Sequence, residues 1–244
     1  MNIHLTSGRT EMLTSQITHK IDAGRLMIVP VFTLLLIVNI LGIHNDVKEL
    51  ELLSTIRVAT LVHRLLVVCF YALFVLLYLM RRSARATTNS FAAKIIAVVA
   101  TFIPFAFPVL SRPINNLDIM LFADIVMIFG MAITLCSLSV LGRSVSIIPQ
   151  ARSLVQNGPY KFVRHPLYLG ELIAILGIVM ARFSLSAMSL FCLLTALQIY
   201  RAMQEERLLA GTFPEYESYS LKRARFIPGY SGAINANMKG GEKR

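Results

Sequence analysis

Residues 167–200 read LYLGELIAILGIVMARFSLSAMSLFCLLTALQIY. Two apolar runs, Leu167–Ala181 and Phe183–Tyr200, meet around one cation, Arg182. At 1.5 Å of rise per residue the first covers ~22 Å, short of the ~30 Å hydrocarbon core of a bilayer, and the second is hardly longer. The pair reads as a short helical hairpin that tilts, thins the bilayer or stops part-way across it.

Four longer apolar runs precede it: Leu26–Ile43, Val58–Met80, Phe91–Leu110 and Leu117–Leu141. The chain is 56% hydrophobic and 15% charged, with mean hydropathy +0.66. A soluble domain carries roughly a quarter charged residues. The expected fold is therefore an all-α integral membrane protein of about six apolar helices, the last two a short hairpin. Residues 1–141 would form N-terminal transmembrane helices, 142–230 a membrane-embedded region built around the hairpin and 231–244 a disordered, Gly-rich tail. The polar start, Met1 to Lys20, has no apolar core and does not read as a secretory signal.

The net charge of +11 suggests a nucleic-acid partner only until the cations are placed. Arg9, Lys20, Arg25, Arg81, Arg82, Arg85, Lys94, Arg143, Arg152, Lys161, Arg164 and every cation after Tyr200 fall on one side of the expected spans. Lys48, Arg57, Arg112 and Arg182 fall on the other, and Arg64 lies within a span. The positive-inside rule accounts for this bias, excludes nucleic acid as the reason for it, and puts both termini in the cytoplasm. Cys69, Cys136 and Cys192 sit inside apolar runs with no Cys or His at metal-ligand spacing. They read as small buried hydrophobes, and no metal site is expected. His63 and Arg64 read as an outer-end pair, with the arginine snorkelling. Asp124, inside the fourth run, suggests a hydrogen bond to a neighbouring helix or a functional carboxylate. Pro104 and Pro108 should kink the third.

Two polar blocks flank the hairpin. The first, Gly158-Pro159-Tyr160-Lys161-Phe162-Val163-Arg164-His165-Pro166-Leu167-Tyr168-Leu169-Gly170, begins with a turn signature that aims Tyr160. Pro166 suits the first turn of a helix whose free N–H groups near Leu167 and Tyr168 attract an anion. The second, Arg201-Ala202-Met203-Gln204-Glu205-Glu206-Arg207, puts Arg201 and Glu205 on one helical face, with Glu206 about 100° away. A hairpin brings both blocks to one membrane edge. There a guanidinium, a carboxylate, a histidine and two tyrosines make a pocket for a small molecule of mixed charge.

From Leu154 to Pro228 the chain resembles the isoprenylcysteine carboxyl methyltransferase family, and more broadly the membrane methyltransferases that include phospholipid N-methyltransferases. The resemblance is carried by Leu154-Val155, Gly158-Pro159-Tyr160, Arg164-His165-Pro166-Leu167-Tyr168-Leu169-Gly170, Glu205-Glu206, and Phe213-Pro214-Glu215-Tyr216-Glu217-Ser218-Tyr219 with Ile227-Pro228. It implies an S-adenosyl-L-methionine-dependent methyltransferase with a cytoplasmic C-terminal cofactor site. Arg152, Ser153, Leu154, Val155 and Tyr160 would line the adenosine portion. His165, Pro166, Leu167 and Tyr168 would wrap the cofactor, and Glu205 would hold its amino group or ribose. Arg201 would face the methyl acceptor and, with Glu205, carry the catalytic role. The family often has Phe-Gly where Phe213-Pro214 stands here, and Ser144 to Gln150 aligns poorly.

A carboxylate acceptor is already ionised at neutral pH and needs no base, so a prenylated or otherwise lipophilic carboxylate is the first expectation. An aminophospholipid is the second; it would have to lose a proton, with Glu205, Glu206 and His165 as candidate bases. The implied partners are a lipophilic small molecule or prenylated substrate and the membrane lipids. A sterol-type NADPH-dependent membrane reductase shares the multi-span plan, but no basic cluster is placed for a 2′-phosphate. No inverted repeat supports a transporter.

Overall fold

The computed structural model describes residues 23–48 and 55–227. The polar N-terminus, Pro228 and the 231–244 tail lie outside the described residues. Helix α1 spans Ala23–Lys48 and α2 Thr55–Leu79. Helix α3 (Phe91–Phe102) passes through a 3-10 stretch, Ile103–Ala106, into the short α4, Phe107–Leu110. Helix α5 spans Leu117–Leu141, α6 Pro166–Ala181, α7 Leu185–Thr212 and α8 Tyr216–Lys222. A two-residue antiparallel ladder, β1 (Ala86–Thr87) on β2 (Gln150–Ala151), is a small departure from an all-helical chain.

Local sequence explains the helix ends. The side chains of Ser90, Asn116 and Ser184 accept from the N–H groups of Ala93, Ile119 and Ala187, so α3, α5 and α7 each begin at a side-chain cap. Pro104, which cannot donate to the helical ladder, falls in the 3-10 stretch that interrupts the third span. Five segments are long and apolar enough to cross a bilayer: Gly24–His44, Thr55–Leu79, Phe91–Leu110, Leu117–Ser144 and Leu185–Thr212. Helix α6 is shorter at 16 residues.

The hairpin is therefore lopsided. Helix α7 has 28 residues and continues well past Tyr200, where the expected sixth span stops. Its continuation is polar, but Arg, Ala, Met, Gln, Glu and Leu are all strong helix formers, so the end of apolarity does not end the helix. A second correction concerns the cysteines. Cys69, Cys136 and Cys192 are exposed on outer helix faces rather than buried, among side chains such as Leu34, Phe129 and Leu193 that also point outward.

The tightest joint in the bundle is between α5 and α6. A Cβ on Gly130 would lie 2.3 Å from the Ala174 nitrogen, and one on Gly170 would lie 2.5 Å from Thr134 Oγ1. One on Gly177 would lie 2.7 Å from the Ala123 carbonyl. Small residues let two backbones touch where lipid offers no hydrophobic drive for helices to associate. Asp124 makes the expected hydrogen bond to a neighbouring helix: Thr60 Oγ1 of α2 donates to its Oδ2 at 2.8 Å. Arg64 lies across α1 where Gly42 lacks a side chain, since a Cβ there would meet its Nη1 at 2.0 Å.

The cationic connections gather at one end. Arg25 Nη2 donates to the Arg81 carbonyl at 2.8 Å, and Arg143 Nε to the Met80 carbonyl at 2.6 Å. The Arg82 and Arg85 amides donate to the carbonyls of Arg143 and Ala151. At the opposite end Arg182 Nη1 donates to the Ser111 carbonyl at 2.7 Å.

Gly170→Ala is expected to destabilise by about 1–3 kcal/mol through overpacking against Thr134. Thermal unfolding in detergent checks this, with Gly211→Ala as the control, since nothing lies within 4 Å of a Cβ there.

Candidate functional site

The loop from α5 to α6 builds one wall of the site. Gly158 takes φ +56, a left-handed conformation that suits glycine, and sits so close to Val140 that a Cβ would lie 2.8 Å from its Cγ2. The 3-10 turn Gly158–Lys161 then buries Tyr160, whose carbonyl accepts from Tyr219 Oη at 2.8 Å. Burial pushes the phenols of Tyr160 and Tyr216 upward and that of Tyr219 to about 12, so all three stay neutral at physiological pH. The end of the chain runs alongside: the amides of Arg164 and His165 donate to the Ala224 and Arg225 carbonyls at 2.8 and 3.1 Å. This fixes His165 at the N-cap of α6, its ring parallel to that of Tyr168 with centroids 5.5 Å apart.

The cation-rich end of α7 supplies the opposite wall, and its adjacent glutamates part company there. Glu205 accepts from the Tyr168 hydroxyl and has Arg201 Nε at 3.8 Å and His165 Nδ1 at 3.9 Å. Glu206 turns away into a cluster of cations. Arg225 donates to it twice, at 2.9 and 2.8 Å, His165 Nε2 lies at 3.1 Å and Arg164 Nη1 at 3.2 Å. Glu206 thus ties α7 to the start of α6 and to the 224–226 segment, while Glu205 is left on the cleft.

Between the walls lies a cleft of about 760 Å3 including its mouth. Arg152, Ser153, Leu154, Val155, Tyr160, His165, Leu167, Tyr168 and Glu205 all line it. Two expected residues do not. Pro166 is buried at the helix start, and Arg201 stands behind Tyr168, its guanidinium 4.8 Å from that ring. Residues not expected there also line the cleft: Ser144, Ser146, Ile148 and Gln150, then Arg164, Tyr216 and Tyr219. The polar residues at 144, 146 and 150 keep an alternating spacing, the mark of an extended segment with one face on a cavity, and that was the available signal. Ser146 Oγ and Arg152 Nη2 both donate to Gln150 Oε1, at 2.8 and 2.5 Å.

The donor set suits S-adenosylmethionine. Glu205 is an acceptor for an ammonium or ribose, Tyr160 and Leu154 offer flat apolar surface, and the serines offer hydroxyls. Arg164 lines the cleft, and its Nε is a buried donor with no hydrogen-bond partner among the described residues.

A second cavity, about 1270 Å3 including its openings, lies deeper in the bundle. Its walls are apolar faces of α2, α5 and α6, with Phe32 of α1 and Pro104 and Phe105 of the 3-10 stretch. Arg201, Gln198, Glu171 and His63 are exceptions, as are the hydroxyl-bearing Tyr71, Thr101, Thr134 and Ser146. Ser146 and Leu167 line both cavities, and Arg201 fills the partition with Nη2 donating to the Ile147 carbonyl at 2.8 Å. Among the described residues no three His, Cys, Asp or Glu side chains come together as a metal site.

Residues 118–216 match the family model described as phospholipid methyltransferase. The chain is 35% identical over 94 residues to the cobalt-zinc-cadmium resistance protein of Cupriavidus metallidurans, a stretch covering 38% of this chain and 41% of that one. It is 33% identical over 95 residues, with the same coverage, to the nickel-cobalt-cadmium resistance protein of Alcaligenes xylosoxydans xylosoxydans. The matched stretch thus covers about two fifths of the length of each relative.

Glu206→Ala leaves the buried Arg164 without its ion-pair partner and should lower the unfolding free energy by about 3 kcal/mol. A fall in Tm clearly larger than that of Glu205→Ala, measured in the same detergent, is the expected result.

Proposed function

We propose that the chain, whose residues 118–216 match the phospholipid methyltransferase family model, catalyses S-adenosylmethionine-dependent methyl transfer to a lipophilic acceptor at the membrane. The observation that carries this reading is the pairing of two cavities across one partition. A polar, aromatic cleft at the cation-rich end meets an apolar chamber inside the bundle at Tyr168 and Arg201. The positive-inside bias puts the cleft, and both termini, on the cytoplasmic side. The catalytic region is residues 142–230.

The cofactor supplies an electrophilic methyl group on a sulfonium. The cleft residues would hold it as follows: Leu154, Val155 and Tyr160 against the adenosine, with Arg152 and Ser153 beside them, and His165, Leu167 and Tyr168 around the remainder. Pro166, though off the cleft, sets the helix start that aims Leu167 and Tyr168. Glu205 would accept from an ammonium or a ribose hydroxyl, and Arg164 Nε would donate to a carboxylate. Displacement at a methyl carbon needs two groups held in line and shielded from water, for which positioning can supply ~7–11 kcal/mol. Tyr168 and Arg201 stand where that line would cross the partition.

An isoprenylcysteine-like carboxylate would depend on Arg201, whose Nη2 already serves the Ile147 carbonyl and whose guanidinium covers the Tyr168 ring, although its buried Nε has no hydrogen-bond partner among the described residues. An aminophospholipid, or another acceptor whose nucleophile bears a proton, is favoured by Glu171, an acidic side chain in the acceptor chamber itself. We place the proton-bearing acceptor first.

The direct test incubates detergent-purified protein with methyl-labelled S-adenosylmethionine and a lipid extract. Base-stable label in the organic phase is expected; base-labile label would mean a methyl ester. Label confined to the aqueous phase, with no cofactor binding, would remove the methyltransferase reading. Glu205→Ala should weaken S-adenosylhomocysteine binding ~10- to 100-fold in calorimetry, the worth of a hydrogen bond to a charged group. Arg201→Lys should lower turnover more than cofactor affinity, since lysine lacks the planar fork.

A further inference from the structure

Glu171 sits on an otherwise apolar helix and lines the membrane-side chamber. Its hydrogen bond is from Gln198 Nε2 to Oε2 at 2.7 Å, and no basic residue forms an ion pair with it among the described residues. A carboxylate in such surroundings is costly, and within a membrane protein it marks a functional site by default. The second observation concerns Gln198, which is 2% exposed and also lines the chamber. Its Oε1 is buried with no hydrogen-bond partner among the described residues. The carboxylate dictates the orientation of this amide, because the reverse would set two acceptors face to face. The chamber therefore holds an unmet demand for a hydrogen-bond donor beside a carboxylate.

Position links the pair to the partition. Glu171 lies three residues beyond Tyr168 on α6, and Gln198 three before Arg201 on α7, so each shares a helix face with its neighbour. Across the two helices Tyr168 meets Glu205, Arg201 covers Tyr168, and Gln198 meets Glu171. This polar ladder runs from the cofactor cleft into the chamber, with Glu171 one helical turn, ~5 Å, inside it.

Resting on the methyltransferase reading, we infer that Glu171 accepts the proton of the methyl acceptor, and that the chamber takes a lipophile whose nucleophile is an amine or a hydroxyl. The nitrogen or oxygen lone pair forms the new bond to the methyl carbon. The carbon–sulfur bond breaks and its electrons stay on sulfur as a thioether. The N–H or O–H proton passes to Oε1 of Glu171, the oxygen opposite the one held by Gln198. An amine that enters as an ammonium gives that single proton to Glu171 before attack, because low polarity favours the neutral pair over two ions, and its methylated product leaves as an ammonium; an alcohol gives its O–H proton during attack. Gln198 is a positioning residue that orients the carboxylate and receives a second N–H or O–H. A carboxylate acceptor would face Glu171 and an amide oxygen as well as Arg201, the arginine that lines the same chamber.

The test uses three probes of one chain length, hexadecylamine, hexadecanol and hexadecanoic acid, with the full chain in detergent. Without cofactor, the amine or the alcohol should raise Tm and the acid should not. With labelled cofactor, the same probe should be methylated; label in the amine assigns nitrogen, label in the alcohol assigns oxygen, and either supports the inference. Glu171→Gln should hold S-adenosylhomocysteine affinity within about 2-fold while transfer falls ~10²- to 10⁴-fold, the range for loss of a general base. Its retained cofactor binding certifies folding, and Glu171→Asp, which keeps the carboxylate, should recover part of the rate. Preferred methylation of the acid, or wild-type transfer by Glu171→Gln, overturns the inference and leaves the methyltransferase reading standing. Failure of the unaltered chain to bind S-adenosylhomocysteine overturns both.

Discussion

The backbone contact between α5 and α6 is the constraint on which the rest depends. Helix α6 is too short to be anchored by spanning the bilayer, and lipid gives two apolar helices no hydrophobic reason to pair. What holds α6 is direct approach to α5, made possible because Gly130, Gly170 and Gly177 carry no side chain. Once it is docked there, its first residues, His165 to Tyr168, are held beneath the end of α5 and beside the Gly158 turn that packs on Val140. Helix α7 then needs only to meet α6 for its polar end to face that start. The cleft is a consequence of where two helix ends are forced to lie.

Energetics divide the polar residues into two kinds. Glu206, His165, Arg164 and Arg225 are tied to one another, so the buried charges of this cluster are offset where they sit. Such a cluster adds little net stability over apolar packing, but removing one member leaves the rest unpaired, which fixes the geometry. Glu205, Arg164, Gln198 and Glu171 differ in that they line a cavity, and Arg164 Nε and Gln198 Oε1 have no hydrogen-bond partner among the described residues. A fold that closes its polar accounts in one place and leaves them open a turn away is arranged for a ligand.

Much of this was legible. Leu117–Leu141 is the helix that apolarity marks, and the proline-bearing third run breaks into 3-10 geometry at Ile103–Ala106. The stretch 158–170 places a turn, an aromatic and a helix start because glycine and proline act locally. The apolar run marked the end of the span at Tyr200, and the i, i+4 spacing of Arg201 and Glu205 carried the helix beyond it, as α7 does to Thr212. Arg225 was invisible as the partner of Glu206 because no short-range pattern announces a contact across nineteen residues. The alternating polar positions at 144, 146 and 150 were legible as an extended strip but carried no helical period. Glu171 was overlooked for a simpler reason: inside Leu167–Ala181, one acid among apolar neighbours barely alters the run.

That omission bears on how the reaction is divided between two solvents. A cofactor of mixed charge belongs at the wet end of the bundle, and an acyl or prenyl chain belongs in the dry interior. On the proposed methyl-transfer reading the reacting atoms would meet at the partition, where Tyr168 and Arg201 stand. A proton released there has no water to receive it on the lipid side, so a base must be carried in by the protein. Helix α6 can carry one because its backbone bonds are satisfied internally and Gln198 shares the cost of its charge. The acid that looks out of place in an apolar helix sits one turn from where a proton would be released.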